Sequence, residues 1–93
     1  MCKNKMEISI IIDPGKLGNP DTDLRYEIPQ LASDITEKKL EDNGYDYDDE
    51  DKMIVFLSSM NLSENEVRDA LSEVFKKLKV EAAAVELKID KNT

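Results

Sequence analysis

Met53, Ile54, Val55, Phe56 and Leu57 form an unbroken apolar run, and the eleven residues from Glu41 to Asp51 just before it hold seven carboxylates and no cation. The apolar run is too short for a helix and too continuous for a half-wet strand, so it reads as a strand covered on both faces. The acidic stretch, by contrast, has to stay in water. Within it Tyr45 and Tyr47 alternate with Asp46 and Asp48, the period of a short strand with one half-buried and one wet face. Asp49 to Lys52 then supplies a polar turn. A hairpin with a charged outer strand and a buried inner one satisfies both halves of the segment.

The remaining elements fall around this hairpin. Ile8, Ile10 and Ile12 share one face of a first strand and Glu7, Ser9 and Ile11 the other, after which Asp13-Pro14-Gly15 stops it. A turn-rich loop from Pro14 to Pro20 follows, with Asp21, Thr22 and Asp23 as candidate helix caps. Leu24, Ile28, Leu31, Ala32 and Ile35 recur at helical spacing. Because proline is welcome at the first helical position, this helix is expected to be regular from Pro29 to Glu41, with Asn43-Gly44 as its left-handed C-terminal cap.

Ser63 and Glu66 have the spacing of a capping box. Val67, Ala70, Leu71, Val74, Phe75 and Leu78 then keep the helical pattern without a miss, and Lys76, Lys77 and Lys79 complement the negative end of the helix dipole. Val85, Leu87 and Ile89 alternate with Glu86 and Lys88 as a last, one-sided strand. The order strand, helix, strand, strand, helix, strand defines an α+β chain of ferredoxin-like type. It predicts a single domain over residues 1–93, frayed at 1–5 and 90–93. A four-stranded antiparallel sheet should carry two helices on one face, with the first and third strands central.

Charge and composition bound the function. The net charge is −8, yet outside Glu41–Asp51 there are fourteen acidic and thirteen basic residues, so the excess is local. Ninety-three residues bury about two thirds of their unfolded surface, which leaves little room for a deep active site. There is no histidine, the one cysteine, Cys2, is near the terminus, and no serine lies in a nucleophile-elbow pattern. An enzyme is not expected, nor a cofactor. A lone cysteine fits a reducing compartment, and no stretch is apolar for long enough to span a bilayer. The expectation is a cytoplasmic protein with no membrane and no nucleic-acid partner, since tyrosines that stack on bases are set among cations rather than aspartates.

Three readings compete for the acidic ribbon. Charges on an outer strand discourage other strands from pairing with it. Clustered carboxylates also steer a basic partner. Asp46, Asp48 and Glu50 have the spacing of the first three ligands of a calcium loop, but the glycine and the closing glutamate of such a loop are missing. The function expected is therefore non-catalytic protein binding to a basic partner, in concrete form an acidic inhibitor of the immunity-protein or antitoxin kind. Its contacts would be Tyr45, Asp46, Tyr47, Asp48, Asp49, Glu50 and Asp51. The alternative is a regulatory domain that binds a small anion through Gly15, Lys16 and Arg25. Central strands that are apolar on both faces, with helices to cover only one, add the expectation of a homodimer through the open face.

Overall fold

The computed structural model describes residues 5–13, 15–16, 23–60 and 62–92. Most of the Pro14–Pro20 loop, the candidate caps Asp21 and Thr22, and the ends 1–4 and 93 lie outside them. The elements are β1 (Lys5–Ile12), α1 (Leu24–Ile35), β2 (Leu40–Tyr47), β3 (Met53–Met60), α2 (Glu64–Lys77), a 3-10 turn (Ala82–Ala84) and β4 (Val85–Asn92). The strands lie in the order β2-β3-β1-β4 and every pair is antiparallel. This is the ferredoxin-like architecture, with β1 and β3 central as their apolar runs require.

Register fixes which side chains meet. Ile8, Ile10 and Ile12 stand opposite Leu57, Val55 and Met53 of β3, and opposite Ile89, Leu87 and Val85 of β4. This row faces the helices. Ile8, Ile10, Ile12, Val55 and Leu57 are buried in one cluster with Leu24, Ile28 and Ala32 of α1 and Val67, Ala70, Leu71 and Val74 of α2. Truncating any of the large aliphatic ones to alanine costs on the order of 2–5 kcal/mol, so the cluster fixes the orientation of both helices on the sheet.

α2 starts as its sequence dictates. The Ser63 hydroxyl accepts from Glu66 N at 3.2 Å, and the Glu66 carboxylate accepts from Ser63 N at 3.2 Å. α1 departs from expectation at both ends. It begins at Leu24, because the Asp23 carboxylate accepts from Arg25 N and caps it, and buried Pro29 lies inside it. It stops at Ile35 instead of running to Glu41. Thr36 ends it by donating its hydroxyl to Ala32 O at 2.6 Å and accepting from Leu40 N at 3.0 Å, which ties the helix end to the start of β2. Glu37 and Lys38 take positive φ, and Lys38 N reaches Ser33 O at 2.7 Å to close the last turn.

Asn43-Gly44 is accordingly not a helix cap. It lies inside β2, which starts at Leu40 rather than Tyr45. β3 continues through Ser58 and Ser59 to Met60, and β4 stays paired with β1 up to Asn92 opposite Lys5. Among the described residues, no helix is long and apolar enough to cross a membrane.

Candidate protein-binding surface

Asp42 faces Leu57 on β3, but Tyr45 faces Val55, so β2 takes three steps where β3 takes two. The extra residue is a β-bulge at Asn43-Gly44, and Gly44 has φ +93°, a conformation that only glycine adopts without strain. Side chains alternate faces along a strand, and a bulge, by setting two residues opposite one, shifts that alternation by one for everything beyond it. Without the bulge Tyr45 would face Ile54 on the side away from the helices. With it, Tyr45 and Tyr47 lie on the helix side, and Asp46, opposite Ile54, on the other.

This placement brings the tyrosines to the first turn of α1. Tyr45 meets Tyr26 edge to face at 6.5 Å between centroids, and Tyr47 meets Tyr45 the same way at 6.0 Å. Arg25 lies against them, its Cζ 5.0 Å from the Tyr45 ring centre and 5.4 Å from that of Tyr26. Its Nη1 donates to Tyr47 Oη at 3.3 Å. The other side of the guanidinium donates to Asp23, from Nη2 at 2.7 Å and from Nε at 2.9 Å. These two hydrogen bonds to Asp23 raise the Arg25 pKa and hold the Asp23 carboxyl below its usual value. The three rings nevertheless remain 58%, 42% and 47% exposed for Tyr26, Tyr45 and Tyr47, more open than the half-buried edge pair that alternation predicts.

The carboxylates of the ribbon do not act as one group. Asp48 Oδ1 accepts from Glu50 N and Lys52 N, both at 2.9 Å, and so builds the turn between β2 and β3. Asp46 Oδ1 accepts from Tyr47 N at 2.8 Å, and Glu50 pairs with Lys52 at 3.2 Å. That pair raises the Lys52 pKa. Asp49 and Asp51 are exposed at the tip, Asp51 with φ 62°. The structure thus brings Tyr45 and Tyr47 together with Arg25 and Tyr26, puts Asp46 on the opposite face, and sets Asp48–Asp51 at the end of the hairpin. Among the described residues, no three His, Cys, Asp or Glu side chains are grouped to hold a metal ion.

Gly15 and Lys16 lie in the turn after β1, and Arg25 in the first turn of α1. Gly15 N donates to Asp13 Oδ1 and Lys16 N to Asp13 O, so the backbone donors that would cradle an anion are taken by the turn itself. Lys16 instead shares a small hollow with Lys52, Asp13 and Glu86, while Arg25 is engaged by Asp23.

The open face of the sheet has a small apolar centre. Ile11, Ile54 and Phe56 are half-buried there, and Met60 is exposed at its end. Around them the register sets Glu7, Glu41, Asp46, Glu86 and Asp90, with the cations Lys88 and, at the start of β1, Lys5 on the same rows.

Sequence reasoning missed Tyr26 and the part played by Arg25. The usable signal was an aromatic residue off the apolar stripe of α1, since Leu24, Ile28 and Ala32 define the buried side and Tyr26 falls outside it. No family model matches the chain, and comparisons with curated proteins and with solved structures give no significant match.

Proposed function

We propose that this chain is a non-catalytic protein-binding module whose partner is basic, and that the partner docks on the β2 margin of the sheet. The observation that carries this reading is the row of three exposed tyrosines ordered by Arg25 beside an acidic hairpin tip. Tyrosine is enriched among the residues that dominate binding energy, because a large amphipathic ring is immobilised at little entropic cost. Rings already held by a neighbouring guanidinium lose still less on docking. Asp49 and Asp51 lie beyond the rings, where they would contribute long-range attraction and orientation more than contact energy. An acidic inhibitor of a basic toxin, of the immunity-protein or antitoxin kind, is the form of this activity that size and charge placement fit best.

The test is affinity capture from the native lysate at low and high salt, followed by binding measurements on the retained protein. A basic partner should be retained less as salt rises. Its affinity should fall roughly tenfold or more with Tyr47→Ala, whereas Asp49→Asn with Asp51→Asn should chiefly slow association. If a captured protein binds the tyrosine and aspartate variants as well as the parent, the reading is wrong.

A further inference from the structure

The two margins of the sheet are built differently. β2 is interrupted by its bulge and lined with Glu41, Asp42 and Asp46, all of which oppose pairing with another strand. β4 has no such bulge, and its charges are of both signs rather than one. Its residues contain no proline and no glycine, and they stay in unbroken register with β1 from Val85 opposite Ile12 to Asn92 opposite Lys5. A regular outer strand presents a row of unpaired backbone donors and acceptors, a template for one more strand. Val85, Leu87 and Ile89 are half-buried on the helix side of β4, while Glu86, Lys88 and Asp90 are exposed on the other. Among the described residues none of these three charges is engaged in an ion pair.

We propose that β4 pairs antiparallel with β4 of a second copy, centred on Leu87, so that two four-stranded sheets become one of eight strands. In this register Leu87 meets its own twin and Val85 meets Ile89, which carries the half-buried apolar row across the seam. Glu86 meets Lys88, twice by symmetry. Neighbouring registers are worse. Centring on Lys88 sets lysine against lysine and Glu86 against Asp90, and centring on Ile89 sets Leu87 against Lys91.

Overall charge favours the same arrangement. Each copy carries −8, and pairing along β4 sends the two acidic hairpins to opposite margins. They are then seven strand spacings apart, about 34 Å, several screening lengths at physiological salt. Stacking two open faces would do the reverse, bringing Glu7, Glu41, Asp46, Glu86 and Asp90 of one copy towards those of the other. Edge pairing also leaves the tyrosine surface of each copy free.

Sedimentation equilibrium over a concentration series tests the proposal. The parent chain should reach twice the monomer mass of 10.6 kDa. Glu86→Lys alone and Lys88→Glu alone should each weaken the dimer roughly tenfold or more, because each replaces both attractive pairs with repulsive ones. Glu86→Lys with Lys88→Glu in one chain should restore it. Both positions are exposed, and recovery in the double variant separates lost pairing from a damaged fold. A parent chain that stays at the monomer mass, a dimer indifferent to the single exchanges, or a double variant that fails to recover would each overturn it.

Discussion

Arg25 on α1 donates to the hydroxyl of Tyr47 on β2 across 22 residues of chain, at 3.3 Å, while Asp23 holds the other side of its guanidinium. A local ion pair therefore aims a long-range contact. All of these groups are partly or largely exposed, so their contribution to stability is small and their main effect is order.

Arg25→Met should accordingly leave the thermal midpoint within a few degrees of the parent. The near-UV circular dichroism of the tyrosines should nevertheless fall, since the rings lose the cation that fixes them. An unchanged tyrosine signal would mean that Tyr26, Tyr45 and Tyr47 order one another without Arg25.

Gly44 carries the bulge at φ +93°, and a methyl group there would meet nothing within 4 Å. The cost of Gly44→Ala is thus conformational rather than steric, about 1–2 kcal/mol, with Gly44→Asn less affected. The urea midpoint of the two variants measures the difference. Equal losses for alanine and asparagine would show that the bulge is not what the glycine supports.

Buried Ser59 faces Met6 and Leu40 on the helix side of the sheet, and its hydroxyl bonds to no described group. A buried hydroxyl without a partner carries a desolvation cost, so Ser59→Ala should be neutral or more stable by up to about 1 kcal/mol in urea unfolding. A loss greater than that would point to a hydrogen-bond partner for this hydroxyl.

Stability should also decline in acid. Hydrogen bonds from the Ser63 backbone and hydroxyl hold the Glu66 carboxyl below its ordinary 4.5, and the Arg25 guanidinium holds that of Asp23 below its ordinary 3.8. With folded values depressed, the unfolded chain takes up protons first. The contribution is complete above about pH 4.5 and is lost as pH falls through the folded values. Glu66→Gln should flatten the glutamate part of that decline in a series of thermal melts. A slope identical to the parent's would remove Glu66 from the account.

What could be read in advance depended on how local the cause was. The capping box at Ser63 and Glu66 and the stripe from Val67 to Leu78 act within a few residues, and the structure reproduces them. The run Met53–Leu57 announced a central strand for the same reason. The end of α1 was misread because Thr36 terminates it by bonding forward to Leu40 as well as back to Ala32, a bridge that no apolar period records. Asn43-Gly44 was misread because a helix cap and a bulge both ask for a left-handed glycine, and only pairing with β3 separates them. That pairing also decided the site. Alternation grouped Tyr45 with Tyr47 correctly, but nothing near them in the sequence says that α1 supplies Arg25 and Tyr26.

The bulge has one more consequence, for how this surface changes by descent. The face taken by Tyr45, Asp46 and Tyr47 is set by their register against Val55, Ile54 and Met53, and the bulge absorbs the one residue too many between Asp42 and Tyr45. Losing a single codon at Asn43 or Gly44 would remove that extra residue, so that β2 would pair regularly and both rings would keep the helix side. Leu40, fully buried upstream, would hold its register opposite Ser59 throughout. A homologue one residue shorter here would keep every letter of the recognition segment and present the same surface with no bulge to support. Among relatives of this chain, a glycine between Asp42 and Tyr45 should therefore accompany the longer form of that stretch and be dispensable in the shorter one.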